Sequence, residues 1–174
     1  MIHDFERAVL NHLIHKSVIP IDGIFQIEES HLTEYMLMYS NLFGKLGKGL
    51  KTKTNTRYAR KLAGLTLLKL NFERNAKFTQ LKSGLVYIIE NPQFLHHYKI
   101  GMTIELQSRL DTYQTYDPYR QFKIVKYEFV LDRSLTEKKL LSHPDITKEC
   151  GEWVSKANAI EVFEKICYSK VAQR

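Results

Sequence analysis

The sequence predicts an α+β protein in two parts: a mainly helical module over residues 1–82 and a mixed strand-and-helix domain over 83–174. Two observations predict this class. Before residue 75, apolar residues recur at three- and four-residue intervals, the period of an amphipathic helix. From Gly84 onward, short runs rich in Val, Ile, Tyr and Phe alternate with turn residues and helical stretches. A chain of 174 residues can hold one good core, or one core with a small appended module.

In the first part, Ile2, Phe5, Val9, Leu10, Leu13 and Ile14 mark a helix over 2–16. Pro20 and Asp22-Gly23 then predict a turn within 18–27. A second helix over 28–43 has Ser30 as its expected N-cap and Leu32, Tyr35, Met36, Tyr39 and Phe43 along one side. Residues 44–55 are rich in glycine, lysine and threonine. A Walker loop would end in Gly-Lys-Ser/Thr, but Lys48 is followed by Gly49, and no acidic partner stands at dinucleotide-site spacing. A nucleotide-binding loop is therefore excluded, and the segment reads as a mobile basic loop or a linker. Residues 56–70 return to a helical pattern, with Tyr58, Leu62, Leu65 and Leu68 interleaved with Arg57, Arg60, Lys61 and Lys69.

In the second part, 84–90 reads as a strand broken by Asn91-Pro92, and 98–102 resumes it after a hairpin loop. A helix over 104–113, a third strand over 122–131 and a helix capped by Asp132 or Ser134 follow. The last expected helix spans 156–171.

Charge narrows the function classes. Residues 1–44 carry two Lys/Arg against six Asp/Glu, 45–82 carry eleven against one, and 83–174 carry thirteen against twelve. The net +7 of the chain thus arises from one stretch. Such localisation suits a polyanion, because each neutralised phosphate releases condensed counterions. Lys45, Lys48, Lys51, Lys53, Arg57, Arg60 and Lys61 are the candidate nucleic-acid contacts, and a solvated face or linker is the plain alternative. No apolar run approaches the roughly 18 residues of a spanning helix, so no membrane partner is expected. The N-terminus lacks the pattern of a secretory signal, which predicts a cytoplasmic protein. Cys150 and Cys167 match no zinc spacing and read as free thiols of a reducing compartment.

Two segments carry a finer signal: Gly84-Leu85-Val86-Tyr87-Ile88, and Tyr98-Lys99-Ile100-Gly101-Met102 ten residues later. With Arg109, Tyr113, Glu137 and Gly151-Glu152-Trp153, this order resembles the GIY-YIG nuclease superfamily, specifically a small viral or phage-type branch with a Gly-Glu-Trp segment. The resemblance covers roughly 90 residues and implies a small antiparallel three-stranded sheet flanked by helices. Lys99 stands where the second signature tyrosine is usual, and lysine there is known in a branch of the family. On an alternating strand only one of Tyr98 and Lys99 can face the site. Arg109 and Tyr113, four residues apart, share one helical face.

The resemblance implies a metal-dependent DNA endonuclease that hydrolyses phosphodiester bonds with one Mg²⁺ or Mn²⁺ held by Glu137. Such hydrolysis needs an activated water, charge neutralisation at the phosphate and help for the departing 3′ oxygen. One hard cation bound by a carboxylate and waters can serve as the Lewis acid. Arg109 would grip the phosphate through its forked guanidinium. Tyr87 would position or deprotonate the water, the latter only if a cation such as Lys99 lowers its pKa. A single site nicks one strand, so paired cuts would need a homodimer or sequential nicking. The alternatives are a nucleic-acid-binding protein with a GIY-YIG-like fold and no catalysis, and a protein–protein adaptor.

Taken singly, each residue has an ordinary structural role: Tyr87 as a half-buried strand tyrosine, Arg109 and Glu137 as surface helix charges, Trp153 as core. Adjacent His96 and His97 usually face opposite ways, which argues against ligation, and His143 reads as a helix-end residue. The joint order overturns these single readings, and Tyr87, Tyr98 or Lys99, Arg109, Tyr113 and Glu137 are the candidate catalytic residues.

Overall fold

The computed structural model describes residues 11, 12, 15, 25–43, 53–74 and 80–168. The chain divides into two compact units, Met1–Ser83 and Gly84–Arg174. The candidate contacts Lys45, Lys48 and Lys51, and most of the helix expected over 2–16, lie outside the described residues.

Among the described residues of the first unit, two helices pack together, α1 (Glu29–Phe43) and α2 (Lys53–Arg74). Ala59, Ala63, Thr66, Leu67 and Leu70 are buried at helical intervals on α2, a stripe of small and leucine side chains that lets α1 approach. Tyr35 and Thr66 meet hydroxyl to hydroxyl at 3.4 Å between the helices. Ser30 is not the N-cap of α1. The Glu28 carbonyl accepts the first helical bond, from Leu32 N–H at 3.3 Å, and the Glu28 N–H donates to His31 Nδ1 at 3.1 Å. A side chain three residues in thus caps the end, as in a capping box.

Asn71, fully buried on α2, serves the segment before α1 as a substitute strand. Its Oδ1 accepts from Phe25 N–H at 3.1 Å, and its Nδ2 donates to the Phe25 carbonyl at 3.1 Å and to the Leu67 carbonyl at 3.3 Å.

The second unit contains, in order, β1 (Gly84–Glu90), β2 (His97–Thr103), α3 (Leu106–Tyr116), β3 (Lys123–Val130), α4 (Arg133–Leu141), β4 (Lys148–Cys150), β5 (Trp153–Ser155) and α5 (Ala159–Tyr168). The class is α+β as expected, but the sheet has five antiparallel strands in the order β3-β1-β2-β5-β4, not three. The added strands have three residues each, too few to show an alternation pattern in sequence. They form because Gly151 (φ 58°) closes a tight turn, after which β5 lies along His97–Lys99 of β2.

One sheet face packs on α4 and α5. Val86, Ile88, Ile100, Val154, Leu140 and Phe163 form its centre. Asp132, not Ser134, caps α4, its carboxylate accepting from Leu135 N–H at 2.9 Å. Cys167 lies against this core, and burial together with Glu128 pushes its thiol up to about 12, so it is chemically quiet.

Asn71→Ala removes three hydrogen bonds from a fully buried site and is expected to destabilise the protein by about 2–3 kcal/mol. Urea denaturation reads this directly. An unchanged midpoint would mean the amide adds nothing to the fold.

Candidate active site

The site begins with strand pairing. Tyr87 lies directly opposite Gly101, and Ile89 opposite Lys99. Alternation puts Leu85, Tyr87 and Ile89 of β1 on one face, with Val86 and Ile88 on the core face. A β-carbon at Gly101 would overlap the Tyr87 ring, so the absent side chain lets that ring lie across β2. At Gly84 a β-carbon would come within 2.6 Å of the Thr103 carbonyl oxygen and 2.8 Å of Arg133 Cδ. Both signature glycines therefore mark places of close approach.

Tyr87 is 1% exposed, and its hydroxyl meets that of Tyr113 at 3.0 Å. Local contacts explain how α3 delivers Tyr113. Glu105 caps the helix, accepting from Gln107 N–H at 3.1 Å and from Ser108 N–H at 2.5 Å. At the other end, the Gln114 amide pairs with both backbone groups of Phe122, at 2.9 and 3.2 Å. The Phe122 ring lies 5.4 Å from that of Tyr113. One turn before Tyr113, Arg109 lies near enough to act electrostatically on both Tyr87 and Glu137.

The question of Tyr98 against Lys99 is decided by the face. Tyr98 packs with Met102 against the α4–α5 core, under the Lys156 ammonium, which sits 4.7 Å from its ring centre. This removes Tyr98 from the candidate site. Lys99 shares the face of Tyr87: its Nζ lies 5.6 Å from the Tyr113 ring centre and 5.7 Å from that of Trp153. It forms an ion pair with Glu152 at 2.7 Å. Trp153, 4.8 Å from Phe94, walls this corner.

Glu137 comes from α4, one turn before the buried Leu140. Burial raises its carboxyl pKa above the ordinary glutamate range and Glu152 pushes the same way; Lys99, Arg109 and a hydrogen bond from Met102 N–H oppose the rise. Because β5 covers only the first part of β2, two later β2 amides turn elsewhere. Ile100 N–H donates to the Glu152 carbonyl at 3.0 Å, and Met102 N–H to Glu137. Anchorage two residues apart on one strand brings the two acidic residues into the same field.

The structure thus gathers Tyr87, Lys99, Arg109, Tyr113 and Glu137, and adds Glu152, which sequence reasoning quoted only as part of a motif. Its position in a Gly-initiated turn was the available signal. The activation of Tyr87 expected from Lys99 is opposed by its surroundings: burial first, and then its bond to Tyr113, push its phenol well above the ordinary tyrosine value against the pull of Arg109, while Lys99 is engaged by Glu152.

In the first unit, Lys53 opens α2, and Arg57 and Lys61 lie along it. The Arg60 guanidinium grips the Glu29 carboxylate at 3.1 and 2.8 Å, so its fork is committed to helix packing. Among the described residues no cluster of three or more His, Cys, Asp and Glu could hold a metal, and no helix is long and apolar enough to cross a membrane.

Gly101→Ala forces either the Tyr87 ring or β2 to move, with an expected cost of about 1–3 kcal/mol in chemical denaturation. Wild-type stability in this variant would mean that the ring has room to retreat.

No curated protein and no solved structure matches the chain significantly. Residues 84–167 match the T5orf172 domain, a phage-derived domain found in some nuclease-associated proteins, so the second unit is similar to that domain almost throughout its described length.

Proposed function

We propose that the protein is a metal-dependent DNA endonuclease of GIY-YIG type, with its site in the second unit and DNA contacts extended by the basic stretch upstream. The observation that carries this reading is the convergence of Tyr87, Lys99, Arg109, Tyr113 and Glu137 around the Tyr87–Gly101 pair. The T5orf172 match supports a phage-type, nucleic-acid-related role.

The residues fit a hard dication. A half-buried carboxylate that holds its proton too tightly, next to a second carboxylate, gains from a neighbouring double positive charge. Glu137 would hold Mg²⁺ or Mn²⁺, which supplies Lewis-acid charge to the phosphate and to the leaving 3′ oxygen. The protein's own groups do the rest. Arg109 grips the non-bridging oxygens in a forked geometry. Lys99 adds a point charge from the opposite strand. The paired hydroxyls of Tyr87 and Tyr113 would orient the attacking water. As its oxygen bonds to phosphorus, the bond from phosphorus to the 3′ oxygen breaks; the water's proton passes to bulk solvent, and the departing 3′ oxygen takes a proton back from it. One site of this kind cuts one strand per event, and a homodimer would allow paired cuts.

Supercoiled plasmid incubated with Mg²⁺, Mn²⁺ or EDTA tests the reading. Wild-type protein should nick or linearise it only with metal, and Glu137→Ala should lose at least about 100-fold in rate. No cleavage by either protein, with salt-sensitive gel retardation by both, would instead establish a non-catalytic DNA-binding module.

A second outcome follows from the raised Glu137 pKa. The folded state binds this proton more tightly than the unfolded chain, so at neutral pH the ionised carboxylate opposes folding. Glu137→Gln should therefore raise the melting temperature at pH 7 in EDTA, with the gain fading as pH falls through the raised range towards that of an ordinary carboxylate. Added Mg²⁺ should stabilise the wild type and leave the variant unmoved. A variant less stable than wild type at neutral pH would contradict the electrostatic account.

A further inference from the structure

Beyond its like charge near Glu137, Glu152 has no part in the scheme above, yet its backbone is pinned in place. The Gly151 turn carries it past the end of β4, and its carbonyl accepts from Ile100 N–H at 3.0 Å, which pins its backbone to β2. Its neighbour Trp153 lies directly opposite Lys99. A residue next to Trp153 within a strand would face the other side of the sheet, but a turn residue is released from that alternation. The Glu152 carboxylate uses this freedom to reach Lys99 Nζ at 2.7 Å.

Ion pairs on open surfaces contribute little, because water and salt screen them and long side chains lose freedom. This pair is less open. The Lys99 side chain is only 15% exposed, with its ammonium between the rings of Tyr113 and Trp153. Among the described residues, Lys156–Glu90 ties the connection before α5 to β1 and Lys126–Glu164 ties β3 to α5, neither involving the site residues, whereas Lys99–Glu152 lies on the face of Tyr87.

We propose that Glu152 is a positioning residue of this site: it holds the Lys99 ammonium beside the Tyr113 ring, aimed at the place where a substrate phosphate would bind. The inference rests on the nuclease reading for the identity of that substrate. A lysine on a flexible four-carbon stem is otherwise a poorly placed point charge. Held by a carboxylate between two rings, it loses that freedom before substrate arrives, and only the exchange of one anionic partner for another remains.

Two measurements on the full-length protein test this. The first is ¹⁵N NMR of lysine ammonium groups in the absence of DNA and metal. The Lys99 Nζ resonance should be protected from solvent exchange in wild type, retained in Glu152→Asp and lost in Glu152→Gln. Retention in Glu152→Gln would overturn the proposal whatever the protein's activity. The second is a double-mutant cycle in plasmid cleavage. Glu152→Gln and Lys99→Met should each lower kcat by about 10–100-fold with little change in KM, and the double variant should be no slower than Lys99→Met. Additive losses, or a Glu152→Gln protein cutting at wild-type rate, would overturn it while leaving the nuclease reading intact. If wild type cuts nothing with any metal, the nuclease reading fails, and the NMR arm alone upholds or overturns the Glu152–Lys99 positioning.

Discussion

The placement of the Tyr87 ring across a strand that has no side chain at Gly101 is the constraint on which the second unit's site depends. Interiors are close-packed, so a ring gains such a position only where its neighbour gives up volume. Gly101 gives up a β-carbon, and the phenol oxygen then reaches Tyr113 at 3.0 Å. That contact places one helix relative to the sheet. With Gln114 and Phe122 fastening its far end, α3 brings Arg109 into the same field. The second signature glycine, Gly84, acts in the same way on the other side, admitting the Thr103 carbonyl and the start of α4, from which Glu137 projects.

Electrostatically the site is a balanced group rather than a basic patch. Lys99 and Arg109 act on the same field as Glu137 and Glu152, beside the paired hydroxyls of Tyr87 and Tyr113. The balance is uneven within the group: Glu152 pairs with Lys99 at short range, whereas for Glu137 burial and the like charge of Glu152 outweigh Lys99, Arg109 and the Met102 N–H. Burial acts on Tyr87 in the same direction as on Glu137, favouring the protonated form.

Much of the second unit was legible in sequence. The runs at 84–90 and 98–102, the break at Asn91-Pro92 and the helix after Asp132 correspond to β1, β2 and α4 within a residue or two. These signals are local: β-branched and aromatic runs, a proline and a capping carboxylate. Three features were not legible. The hairpin of β4 and β5 is too short for any periodicity and exists because β2 offers it an edge. The cap of α1 depends on His31 folding back on Glu28, which displaced the expected Ser30. Arg60 reads as a phosphate contact until α1 supplies Glu29 to its guanidinium.

The sequence by itself determined the class of the fold and the order of its longer elements, because propensity, periodicity and motif spacing act over a few residues. It also determined that Tyr98 and Lys99 face opposite ways, since a strand alternates. Only the tertiary structure decided which of them meets Tyr87, because the sign of a face is set by what packs on it: Val86, Ile88 and Ile100 claim the α4–α5 core and carry Tyr98 with them. The same holds for protonation and pairing. That the Tyr87 phenol is pushed towards its protonated form and that Lys99 pairs with Glu152 follow from burial and from neighbours 26 and 53 residues away in sequence, and distances of that kind exist only after folding.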